Sequence, residues 1–173
     1  MVSTLARSIL LAVLAQSAVV QAPGTDDDSF RIEGAVVCRS ITGFEDYEVL
    51  PGAELTSDEK LHVYYRPRNY QTAPKGHGFA AHFTQDGQIR AAGKKKVLLR
   101  KAGLMDYEAV SRDRPENLCI QNEVSLKGLP PGEYEYDVIL RDENAPREKR
   151  TATATVKFRV VPAKRPERGE GPG

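Results

Sequence analysis

The feature that most constrains this chain is an alternation through residues 133–141, repeated through residues 151–160. Tyr134, Tyr136, Val138 and Leu140 share one phase, and Glu133, Glu135, Asp137 and Arg141 share the other, with Ile139 the one apolar exception. The second run sets Ala152, Ala154, Val156, Phe158 and Val160 against Thr151, Thr153, Thr155, Lys157 and Arg159. Side chains on a strand point to opposite faces in turn, so a period of two spells two half-buried strands, antiparallel and wet on one side. Inward positions must face inward ones, which puts Glu135 opposite Lys157 or Arg159, acid across from base. Pro130, Pro131 and Gly132 read as the turn that feeds the first strand.

Shorter alternations fill the chain before this pair. Ile32–Ser40 reads as a first strand, with Ile32, Val36 and Cys38 in one inward phase. Residues Lys60–Arg66 place Leu61, Val63 and Tyr65 inward and His62, Tyr64 and Arg66 outward, and Pro67 ends that strand or sets it at an edge. Phe79, Ala81 and Phe83 followed by Ile89 and Ala91 suggest a hairpin. A three-residue Gln85-Asp86-Gly87 turn would pair Phe83 with Ile89 and put Gly87 in the left-handed position of a bulged turn. Lys96–Lys101 is a short strand with Val97 and Leu99 inward. Residues 104–110 fit either a strand or a helical turn, and 111–116 read as loop. Leu118, Ile120, Val124 and Leu126 make a further strand, where polar Asn122 on the inward phase suggests a bulge. Eight or nine strands without a convincing helix predict an all-β, immunoglobulin-like antiparallel β-sandwich over residues 30–162. A closed up-and-down β-barrel is the alternative.

The run Leu126-x-x-Leu129-Pro130-Pro131-Gly132-x-Tyr134-x-Tyr136, an apolar alternation ending in Arg141-Asp142 and a last strand closing on Phe158-x-Val160 resemble the final two strands of bacterial immunoglobulin-like and fibronectin-III-like domains. That motif covers about a quarter of the chain. The resemblance implies that Tyr134 is a buried tyrosine-corner residue whose hydroxyl bonds back to the preceding connection. The whole is also similar in style to small secreted proteins of planctomycete-type bacteria, which brings no activity with it. A fold of this kind does not specify a function.

Arg7, the apolar run Ile9–Val20 and the small residues after it predict a signal peptide over residues 1–22. The run is shorter than the roughly 20 apolar residues a spanning helix needs, so the expectation is an exported protein, periplasmic or secreted, with no membrane span after cleavage. Residues 23–29 read as a polar linker and 163–173 as a disordered tail. The formal charge is +1; without Arg7 the mature chain has 24 bases against 24 acids and a net charge of zero. No global field exists to attract nucleic acid or anionic lipid. Lys94, Lys95, Lys96, Arg100 and Lys101 form the nearest thing to a basic patch and read as solvated charge.

Cys38 and Cys119 would share an oxidising compartment and could pair, although Cys38 falls in an inward phase and Cys119 in an outward one. His62, His77 and His82 show no metal-ligand spacing, and no nucleophile motif is present, so neither metal, cofactor nor catalysis is expected. The best candidate binding surface is Tyr64, Arg66, Arg68 and Tyr70, residue types enriched at interface hot spots. The plain alternative is that both tyrosines cover the body of the fold. A non-catalytic envelope module for protein–protein interaction or structure is the leading expectation, with an unidentified envelope protein as partner. A carbohydrate-binding module is the second, although such sites usually expose Trp and this chain has none.

Overall fold

A computed structural model of the chain describes residues 28–163. The expected signal peptide, most of the linker and residues 164–173 of the tail lie outside the described residues. Ten strands follow in order: β1 (Arg31–Gly43), β2 (Asp46–Val49), β3 (Glu54–Thr56), β4 (Lys60–Arg68), β5 (Ala73–Lys75), β6 (Gly78–Ala91), β7 (Val97–Ser111), β8 (Ile120–Ser125), β9 (Gly132–Asp142) and β10 (Thr151–Val161). A single 3₁₀ turn, Pro51–Ala53, separates β2 from β3. The strands form two sheets. One runs β2-β1-β4-β8, and the other runs β3-β10-β9-β6 with β7 on the far edge of β6 and the short β5 beside β9. The protein is therefore an all-β sandwich, and the closed barrel is excluded because the sheets remain separate. All pairings are antiparallel except β3 with β10, which is parallel.

The β9–β10 ladder is unbroken, and its register sets Glu135 against Lys157 and Glu133 against Arg159. Tyr134, Tyr136, Val138, Leu140, Val156, Phe158 and Val160 enter the core opposite Val37, Leu61, Val63, Tyr65 and Ile120 of the other sheet. Burying each such side chain contributes roughly 1.5–3 kcal/mol. The polar face is less wet than the alternation implied: Glu135 is 9% exposed and Asp137 4%. Arg90 on neighbouring β6 reaches over both, at 2.7 Å from Glu135 and 2.8 Å from Asp137. Tyr134 is buried, and its hydroxyl donates to the Pro130 carbonyl at 2.7 Å. The turn itself lies earlier than expected. It closes from Leu126 to Leu129, with Gly128 at φ +88°, and Gly132 is the first residue of β9.

Three local readings are corrected, each by a break in phase or by a polar side chain that finds a partner. In β1, Glu33 faces Arg66 and Val36 faces Tyr64, so β1 takes three steps where β4 takes two. Gly34 (φ +64°) carries this bulge, in a conformation that favours glycine. The extra residue reverses the phase: Val37 enters the core, and Val36 and Cys38 turn to the outer face. The second correction concerns Gln85-Asp86-Gly87, which is no turn. β6 runs straight through it, paired with β7 on one edge and β9 on the other. Asp86 points outward to Arg141 rather than to solvent, and Gln85 points into the core. The third is Asn122, which sits in regular β8 without a bulge. It exchanges two hydrogen bonds with Gln85, at 2.7 and 2.8 Å, and the hydroxyls of Tyr65 and Tyr136 complete the buried network.

Candidate functional site

The four residues singled out from the sequence do not form one exposed surface. Tyr64 is 1% exposed on the outer face of its sheet. The β1–β2 hairpin folds over it, with Tyr47 stacked on the ring at 4.3 Å and the Glu45 N–H donating to its hydroxyl at 3.0 Å. Burial accordingly raises the Tyr64 pKa, against a lowering by that hydrogen bond. Arg66 and Arg68 both bond Glu33, at 3.1 and 2.7 Å, and Arg66 also bonds Glu45. The Arg68 hydrogen bond is the largest reason the Glu33 carboxyl lies below its usual range. Tyr70 is far from solvent duty as well. Its ring meets Phe83 edge-on at 5.3 Å, and its hydroxyl donates to the Pro115 carbonyl at 2.6 Å. Tyr64 is packed inside and Tyr70 is half-buried against Phe83, so the two rings do not form a common exposed platform.

Cys38 and Cys119 are unbonded. Cys38 lies on β1 and Cys119 one residue before β8, with β4 between those strands. Two interstrand spacings come to roughly 10 Å, beyond the ~7 Å that a disulfide spans between Cα atoms. Burial raises the Cys38 thiol pKa. The histidines are dispersed: His62 faces Cys38 and Glu123 across its neighbouring strands, His77 lies between β5 and β6, and His82 bonds Asp106 at 2.7 Å. Among the described residues, no three His, Cys, Asp or Glu side chains are grouped so as to hold a metal ion.

A different region stands out. Seven large hydrophobic residues are exposed among the described residues, and five of them, Val97, Leu98, Leu99, Tyr107 and Val110, belong to β7. β7 is the edge strand of the larger sheet and the longest strand, at 15 residues. Its register explains the exposure. Leu99 pairs with Ile89 and Lys101 with Gly87, so both carry the core-facing phase, yet Leu99 is 44% exposed. The smaller sheet ends at β8, which lies over β6, so this stretch of β7 has no strand above it. Leu98 is the extra residue at a register shift between Ile89 and Arg90, which sends Val97 to the outer face and corrects its expected inward phase.

Between β7 and the edge of β8 lies a cavity of about 280 Å³, lined by Ile89, Leu99, Leu104, Val124 and Tyr136, with Lys101, Arg100 and Glu123 at its rim. Two glycines shape it. Gly103 (φ +61°) carries a bulge in β7 whose N–H donates to Asp86 at 2.9 Å. That bulge turns Leu104 toward Gly87, where an added Cβ would lie 2.6 Å from Leu104 Cδ1 and 2.5 Å from the Tyr136 hydroxyl. Gly87 is required for close approach, not for a turn. Asp86 anchors the bulge from the outer face. Its hydrogen bond from Arg141, helped by the Gly103 N–H, outweighs burial and holds the carboxyl at about 2. Tyr136 is pushed up to about 12 by burial, with the Gln85 hydrogen bond acting the other way.

The rim is basic. Lys60 occupies Glu123, whereas Lys101 and Lys94–Lys96 form no ion pair among those found in the described residues. The seam is thus an apolar slot bounded by two strand edges and fringed by ammonium groups. Sequence reasoning named the basic residues but missed Leu99, Leu104 and Val124 as one surface. The available signal was Val97-Leu98-Leu99, three apolar residues in a row where a half-buried strand should alternate. No family model matches the chain, and a search of curated proteins finds no match.

Proposed function

We propose that this chain is a non-catalytic interaction module, exported to the cell envelope, that binds a protein partner through the β7–β8 seam. The observation that carries the reading is the concentration of exposed apolar side chains on one edge strand next to an apolar slot. Leu99, Leu104 and Val124 line that slot together, and an apolar patch rimmed by charge marks an interaction surface. The resemblance to immunoglobulin-like domains is supported by the Tyr134–Pro130 hydrogen bond and agrees with a binding role.

The test is capture from envelope extract of the source cells on immobilised full-length protein, beside a Leu98→Glu/Leu99→Glu variant and a glycan array. A protein retained by the wild type and lost on the variant, with unchanged circular dichroism and denaturation midpoint, is the expected result. Equal capture by both proteins, or binding to glycans alone, overturns the reading.

A further inference from the structure

We infer that the seam accepts an extended peptide as an added strand beside β8, with apolar residues at alternate positions and carboxylates toward the end that meets Lys101. The inference rests on the interaction reading above and specifies the chemistry of the occupant. The first argument is geometric. β8 is the last strand of the smaller sheet; it pairs with β4 and with no other strand among the described residues. One more strand on its open edge would lie over the inner face of β7, where Leu99 and Leu104 carry the core-facing phase without a covering layer. Main-chain hydrogen bonds to an open edge supply affinity in this mode, and alternate side chains supply selectivity.

The second argument is size and chemistry. A strand's side chains alternate, so every second residue of the peptide would point down into the slot. The cavity of about 280 Å³ is nearly twice the roughly 150 Å³ of an apolar cavity that holds benzene. It therefore takes more than one aliphatic side chain. The third argument is charge. Lys101 stands at the rim without an ion pair among the described residues, Arg100 beside it is shared with Asp86 at 3.7 Å, and Lys94–Lys96 lie on the connection just before β7. The one carboxylate at the rim, Glu123, is already bonded to Lys60. A peptide bearing its own carboxylates is attracted, and a basic one is repelled. A strand added instead to the outer edge of β7 would leave Leu99 and Leu104 as exposed as before, which is why β8 is assigned the pairing.

The experiment uses full-length protein and a fluorescent synthetic nonapeptide with three Val at alternate positions, Thr between them and two Glu at one end. A scrambled peptide and a Lys-for-Glu peptide serve as controls. Expected are saturable binding of the first peptide, weakening by about tenfold in Lys101→Glu and again in Leu99→Ser, weakening with added salt, and slowed backbone amide exchange in β8. Protection confined to β7, equal binding of the controls, or self-association of the protein that produces the same β8 protection without peptide overturns the inference. Absence of peptide binding also overturns it. In that case, capture from extract that still depends on Leu98 and Leu99 leaves the interaction reading standing with a different occupant. Capture indifferent to those residues removes both.

Discussion

The sandwich has two long seams, and the chain treats them differently. On the β1/β10 side it crosses from one sheet to the other through Leu50–Ala53, then lays β3 against β10. Leu55 is buried there, and Leu50 and Ala53 pack against the core. On the β7/β8 side the chain also crosses, through residues 112–119, but at the Ser111 end of β7; among the described residues no strand is laid over the other end, where Leu98 and Leu99 stay almost half exposed. Both seams carry apolar residues in core-facing phase, but only one is covered by the chain itself. Apolar sequence alone therefore does not seal a sandwich edge. Crossing is not enough either: β3 is laid along the seam after its crossing, and where no strand is so laid the same kind of residue becomes a surface.

The strongest contrast between the seams is energetic. Leu55→Ala, on the closed side, leaves a cavity that the surrounding sheet cannot fill, and chemical denaturation should show a loss of about 2–4 kcal/mol. A loss below 1 kcal/mol would mean that β3 is a loosely held flap and that the two seams are alike. Next in size is Gln85→Ala, which strips partners from Asn122 and Tyr65 where β6 is tied to β8, the last polar tie before the open side. About 2–3 kcal/mol should go, and Gln85→Leu/Asn122→Leu together should recover much of it, because replacing both partners leaves no amide unsatisfied. No recovery in the double variant would show that the pair orders the seam in a way apolar packing cannot reproduce.

How much of this was legible in the sequence depended on whether the phase was kept. The β9–β10 pair shows no register break, so its faces could be read directly and its register narrowed to Lys157 or Arg159 opposite Glu135, while the Tyr134 contact was implied by the resemblance alone. β1 carries a one-residue bulge at Gly34 and β7 another at Leu98, and each of these inserted residues reverses the faces beyond it, whereas the Gly103 bulge inserts two and keeps them. That is how Cys38 came to be read as inward. Gln85 and Asn122 failed for a shared reason. Each is a polar residue in an inward phase, which looks locally like a turn or a bulge, and only the fold shows that they are two halves of one buried amide pair. Tyr64 and Arg66 were correctly placed on the outer face. What the sequence could not reveal was the β1–β2 hairpin folding over them, which removed the expected site. The seam escaped notice because its residues come from strands that are not consecutive pairs.

Acid should loosen the anchor of the β7 bulge. The Asp86 carboxyl is lowered from 3.8 to about 2 in the folded protein. Its contribution is complete above the unfolded value and is lost as pH falls from about 4 through 2, on the order of 2 kcal/mol. Asp137 behaves the same way: burial opposes its charge, but hydrogen bonds from Arg90, Gln88 and Thr155 win and hold it at about 2. Asp142 runs in the opposite direction, since burial raises its pKa and protonation relieves that cost. Denaturation midpoints from pH 5 to 2 should therefore fall less steeply in Asp86→Asn than in the wild type, and parallel curves would remove Asp86 as the anchor of the β7 bulge. Gly87→Ala probes the slot itself. Leu104 can yield but the buried Tyr136 ring cannot, so the cost should fall within the roughly 1–3 kcal/mol typical of overpacking. The displaced Leu104 should also reduce peptide binding. Unchanged stability and binding together would show that the slot is wider than the 2.5 and 2.6 Å approaches imply.

The most direct measurement of the central claim is the urea denaturation midpoint of Leu98→Ser/Leu99→Ser. Two leucines deleted from a core would lower stability by several kcal/mol. If this face of β7 is an uncovered recognition surface, the midpoint should stay within about 1 kcal/mol of the wild type, the range of surface substitutions. A fall of 3 kcal/mol or more would mean that the seam is closed in solution and that β7 belongs to the core.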